Sequence, residues 1–94
     1  MKSSLKFGLV HVGEGKPCAI IAEGCDNHGG SLSKAKDMAA AAKEAGVDII
    51  KFQLHLPDEE MVKDEMDKVS SGGVFKKWGS LYGFIKAHQL STEE

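Results

Sequence analysis

Two short apolar runs, set either side of one amphipathic stretch, constrain this chain more than anything else in it. The first is Ala19-Ile20-Ile21-Ala22-Glu23 and the second Val47-Asp48-Ile49-Ile50-Lys51-Phe52-Gln53. Between them comes a Gly-rich bend, Asn27-His28-Gly29-Gly30, and then Leu32, Ala35, Met38, Ala39, Ala42 and Ala45 at intervals of three and four. Lys34, Lys36, Asp37, Lys43 and Glu44 fall mostly outside that stripe, as the wet face of a helix requires. Ser31 or Ser33 can cap its first free amides, and Gly46 suits the left-handed position that stops a helix. The order predicts a strand–helix–strand unit over residues 19–53, and hence a parallel sheet.

Strand side chains alternate faces, so Glu23 shares a face with Ile21, and Lys51 and Gln53 share one with Ile49. If Ile50 and Phe52 pack under the crossover helix, Glu23, Lys51 and Gln53 point away from it at the carboxyl ends of neighbouring strands. Parallel α/β folds bind ligands at that end. A purely structural Glu23–Lys51 ion pair is the competing reading, and a buried pair of that kind is weak evidence of a stabilising role.

Ninety-four residues with 41% hydrophobic content suffice for one small domain. A net charge of -2 and the lack of a basic stripe with interleaved aromatics give no sign of nucleic-acid binding. No apolar run reaches the length of a membrane span, and Leu5-Lys6-Phe7-Gly8 is not a signal-peptide core, so a cytoplasmic protein is expected. Cys18 and Cys25 form no CxxC and read as reduced thiols. One such unit leaves two sheet edges and a sheet face uncovered, which points to a piece of something larger or to a homo-oligomer.

Upstream, residues 6–12 have strand-like composition and Gly13-Glu14-Gly15-Lys16-Pro17 is a turn cluster, so residues 5–19 are expected to form a hairpin arm. His11 in that arm receives no chemistry. In the cluster that runs from Glu23 to Gly30, Cys25, Asp26 and His28 invite a metal hypothesis, with His55 as a further candidate, but the spacing matches no zinc pattern. A tight strand-to-helix turn, with Asp26 and Asn27 bonded to backbone, is favoured over ligation. After Gln53 the acidic run from Asp58 to Lys68 and the break Ser70-Ser71-Gly72-Gly73 predict a loop with some lid role. Leu81, Phe84, Ile85 and His88 then mark a helix capped by Ser80, with Trp78 as a packing anchor and His88 structural. The closing Ser91-Thr92-Glu93-Glu94 is a capping box, which suggests a chain truncated relative to a longer parent.

These residues, taken together, resemble the start of the sialic acid (N-acetylneuraminate) synthase family. The likeness rests on Ile20-Ile21-Ala22-Glu23, Asn27-His28 with Gly30, Ala42-Lys43-Glu44-Ala45-Gly46 and Ile50-Lys51-Phe52-Gln53. The 13–17 turn cluster, Asp58-Glu59-Glu60-Met61 and Ser80-Leu81-Tyr82 are similar too. The resemblance implies an incomplete portion of a TIM (β/α)8 barrel, since a whole barrel takes about 250 residues. It implies condensation of phosphoenolpyruvate with N-acetylmannosamine or a related acetamido sugar, assisted by a divalent metal, manganese or magnesium, whose ligands lie in segments absent here. Carried over by position, Glu23 is the catalytic candidate facing the sugar, Lys51 contacts phosphoenolpyruvate, Gln53 assists, and Asn27 and His28 shape the pocket rim. Gly24-Cys25-Asp26 departs from the Ile-Gly that many members carry before the Asn-His pair, which leaves the sugar open.

The expected layout of the fragment, residues 1–94, is therefore a hairpin arm (1–18), a βαβ unit (19–53), a loop (54–79) and a helix (80–90). The isolated chain is expected to be inactive. The alternative from another class is a non-enzymatic small protein that self-associates or binds an anion.

Overall fold

A strand–helix–strand crossover forms over the stretch that the apolar runs mark. The computed structural model describes residues 4–60, 62 and 77–94. In chain order these form strands β1 (Ser4–Phe7), β2 (Val10–Gly13) and β3 (Ile21–Cys25), helix α1 (Leu32–Glu44), strand β4 (Ile49–Phe52), and helices α2 (Pro57–Glu60) and α3 (Leu81–His88). β1 and β2 make one antiparallel pair, and β3 and β4 a separate parallel pair. The result is an α/β arrangement of an N-terminal hairpin and a βαβ unit, with open sheets as in part of a (β/α) barrel.

The crossover helix follows its sequence closely. Ser31 is the cap: its hydroxyl accepts from the Lys34 N–H at 3.2 Å. At the other end Gly46, with φ +86°, donates to Lys43 O, and Val47 N–H reaches back to Ala42 O at 3.3 Å. Those two bonds are a Schellman stop, which needs the left-handed residue that glycine supplies most cheaply. Ala35 is buried, while Leu32, Met38, Ala39 and Ala42 are half-buried on the same stripe; Ala45 at its end is exposed. The charged residues of the opposite face are all exposed.

The hairpin is tighter than its composition suggests. Phe7 pairs with Val10, so the turn is Gly8-Leu9 rather than the 13–17 cluster, and the 6–12 run is two strands instead of one. Gly8 has φ +58°, the backbone that two-residue hairpin turns place on glycine. The Gly13–Pro17 stretch instead carries the chain out of β2.

Within the segment read as a loop, Pro57 starts one turn of helix followed by Asp58, Glu59 and Glu60. Proline at the first helical position and acids in the first turn suit the helix dipole. Most of the acidic run beyond it, the 70–73 break and the lid reading that rests on them lie outside the described residues. Farther on, Ser80 caps α3 by accepting from Gly83 N–H at 3.1 Å. Tyr82 and Ile85 form its small core with Leu81 and Phe84 against them. Trp78 packs edge-on to Phe84 and His88, and the His88 ring stacks on Phe84. At the end of the chain, Glu94 accepts from the Ser91 N–H at 2.9 Å, one arm of the capping box.

Candidate functional site

The parallel pair sets Glu23 directly opposite Lys51. Lys51 Nζ lies 2.8 Å from Glu23 Oε2, and both side chains are about half exposed or more, at 61% and 46%. The hydrogen bond and negative charge of Glu23 hold the Lys51 ammonium above its ordinary pKa, with a smaller push from Cys25. The pair is therefore a charged, solvent-facing feature at the carboxyl ends of two parallel strands, not a desolvated structural bridge.

One residue later the ladder is irregular: Cys25 pairs with Phe52, which leaves Gly24 as the bulged residue. Gly24 is buried, and a Cβ on it would stand 2.6 Å from Phe52 Cε1 and 3.2 Å from the Lys51 carbonyl. Cys25 takes φ +51°, an uncommon backbone for a residue with a side chain. The Cys25 carbonyl accepts from Gln53 N–H at 2.9 Å, which carries the pairing past β4. At the other end of the ladder Asp48 Oδ2 accepts from Ile20 N–H at 2.8 Å.

Of the five site residues read from the sequence, Glu23 and Lys51 meet. Gln53 is exposed, and its Oε1 lies 3.3 Å from His55 Nε2, while His55 Nδ1 lies 3.2 Å from Glu60 Oε2. Glu60 also accepts from the Leu56 N–H at 2.7 Å. That backbone bond, followed by His55, pulls the Glu60 carboxyl below its usual range. This Gln53–His55–Glu60 chain was not foreseen; a histidine two residues beyond a strand-end glutamine and five before a glutamate was its signal.

Asn27 is exposed and donates from Nδ2 to Gly24 O at 3.1 Å, so it braces the turn. His28 is 1% exposed. Its Nδ1 accepts from Gly30 N–H at 3.0 Å, its ring meets Phe52 edge-on at 5.7 Å, and its Nε2 is buried with no hydrogen-bond partner among the described residues. Burial places it inside the turn. Among the described residues no three His, Cys, Asp or Glu side chains converge to hold a metal ion. The described residues thus do not fit a resident divalent cation. No helix among them is long and apolar enough to cross a membrane.

A hairpin followed by a βαβ unit, with opposed charges at the carboxyl ends of its parallel strands, has the form of a partial (β/α) barrel. Comparison with known proteins narrows that class. The chain is 34% identical over 87 residues to the N,N'-diacetyllegionaminic acid synthase of Legionella pneumophila, covering 93% of this chain and 24% of the relative. It is 38% identical over 77 residues to the human N-acetylneuraminate-9-phosphate synthase, covering 82% and 21%. Against the pseudaminic acid synthase of Campylobacter jejuni it is 43% identical over 63 residues, covering 66% and 18%. No family profile matches the chain. The chain belongs to the nonulosonate (sialic acid-type) synthase family, aligning with a short N-terminal stretch of the catalytic domain. It spans about a quarter or less of the length of these relatives.

Proposed function

We propose that this segment supplies part of the substrate pocket of a synthase that condenses phosphoenolpyruvate with an acetamido sugar. The observation that carries the reading is the exposed Glu23–Lys51 pair on the strand ends of a βαβ unit. A fixed ammonium at Lys51 offsets phosphate or carboxylate charge on phosphoenolpyruvate. Glu23, 2.8 Å away, would part from it when that anion arrives, and its carboxylate is then free to orient the sugar aldehyde or handle a proton. Gln53 assists from just past the end of the same strand, held by His55. Asn27 and His28 shape the rim through the turn they stabilise. A divalent metal, as the family resemblance implies, would polarise the aldehyde; the described residues offer no ligand set for it.

The test is phosphate release from phosphoenolpyruvate with N-acetylmannosamine and manganese, run beside a phosphoenolpyruvate titration followed at Lys51 by NMR. Saturable binding at Lys51 without turnover is expected of the 94-residue chain, since condensation needs groups beyond these. No change at Lys51 at saturating ligand would overturn the assignment.

A second reading, self-association, is favoured by one specific observation. Leu5, Phe7, Leu9, Ile20 and Ile21 are large, apolar and exposed, with Leu9 at 95%. A solution mass above 10.1 kDa that persists on dilution would support it.

A further inference from the structure

The Glu23–Lys51 pair is too exposed for its own contacts to set its geometry, yet the backbone beneath it is tightly determined. Gly24 has no room for a Cβ because the Phe52 ring lies against it. That contact belongs to the bulge that directly follows the Glu23–Lys51 pairing and shifts the register between Glu23 and Cys25. The Phe52 ring in turn meets the edge of the His28 ring at 5.7 Å and 68°. His28 is fully buried and anchored by the Gly30 N–H. The turn that carries it is backed by the end of α3: the space over Gly30 is closed by the Ala87 and Gln89 carbonyls, and a Cβ on Gly29 would touch His88.

We infer that His28 is a positioning residue, which acts through Phe52 and the Gly24 bulge to hold Glu23 opposite Lys51. Its place at the rim is indirect, and it does not touch substrate. With Nδ1 accepting from Gly30, the imidazole proton sits on Nε2, where it is buried without an acceptor among the described residues. An unpaired buried donor costs stability, so a histidine here is not the choice a merely structural turn would make. Asparagine could accept the same Gly30 hydrogen bond through its side-chain carbonyl. What asparagine lacks is the ring that pins Phe52. The consequence for substrate rests on the proposed function above; the positioning itself does not.

The experiment is NMR titration of Lys51 Nζ in the 94-residue chain, in the parent sequence and in His28→Asn, Phe52→Leu, Glu23→Gln and Tyr82→Phe. Glu23→Gln defines the midpoint of Lys51 with no carboxylate beside it. His28→Asn keeps the acceptor for Gly30, and Phe52→Leu keeps an apolar side chain while removing the aromatic edge contact. Each is expected to move the Lys51 midpoint down, at least half of the way to the Glu23→Gln value. Tyr82→Phe, which perturbs α3 away from the strands, is expected to leave it in place. Unchanged Lys51 midpoints in both folded variants would overturn the inference, as would an equal shift in Tyr82→Phe, which would mean general loosening. If His28→Asn does not fold, Phe52→Leu gives the same reading alone. Phosphoenolpyruvate binding measured on these samples separates the two claims: a moved midpoint with no binding in any of them leaves the positioning standing and removes the pocket.

Discussion

Lys51 and Glu23 face each other across adjacent parallel strands at 2.8 Å, one residue before a bulge ends the regular ladder. Because both are solvent-facing, their attraction is screened and contributes little to stability, but it governs how Lys51 titrates. The pair is thus a local electrostatic feature carried by a fold that does not depend on it.

Glu23→Gln should accordingly lower the Lys51 pKa toward its ordinary value, since the Glu23 hydrogen bond and charge are what raise it. The sign follows from linkage: a raised lysine favours the folded state until pH climbs through that raised value. At neutral pH that contribution is fully present, but exposure and screening keep it small, so the melting temperature should barely move. NMR titration and thermal unfolding of the same sample check both halves, and the Lys51 shift should shrink in high salt.

Gly24→Ala should destabilise the chain by about 1–3 kcal/mol, the usual cost of forcing atoms into a packed site. The Phe52 ring cannot swing aside cheaply because His28 lies against it. Urea unfolding gives the magnitude. A variant as stable as the parent would mean that the bulge yields easily.

How much of this was legible beforehand differs residue by residue. The crossover helix, its Gly46 stop and the Glu23–Lys51 pairing follow from short-range periodicity and stand where the sequence places them, and of the two serines the sequence offers as its cap, Ser31 serves. The hairpin turn at Gly8-Leu9 was hidden because apolar residues on both sides read as one strand, while Gly13 and Pro17 drew the turn downstream. Burial of His28 was illegible for a different reason. The turn that carries it lies against residues 87–89, some sixty positions later, and no local pattern encodes that contact.

Tyr82→Phe tests the link between the helices that follow β4. The Tyr82 hydroxyl donates to Asp58 and accepts from Lys86 Nζ at 3.3 Å, with Lys86 also 3.9 Å from Asp58. Removing it should cost about 0.5–1.5 kcal/mol, the ordinary net worth of a hydrogen bond, because the exposed Asp58 can turn to water. A loss well beyond that range would show that the hydroxyl organises more of α3 than these contacts.

Glu60 gives a pH signature that needs no ligand. Its carboxylate accepts from the Leu56 N–H and meets His55, and the first of these chiefly depresses its pKa. A depressed carboxyl contributes stability that is complete above its ordinary value and lost as pH falls through the lowered one. The Leu56 amide resonance should therefore titrate in acid with a midpoint below that of a free glutamate, and Gln53 side-chain signals should move with it through His55. Glu60→Gln should abolish that acid transition at Leu56 while leaving the Lys51 midpoint unchanged. A Leu56 amide that titrates at the ordinary glutamate value would mean that the bond at 2.7 Å does not persist in solution.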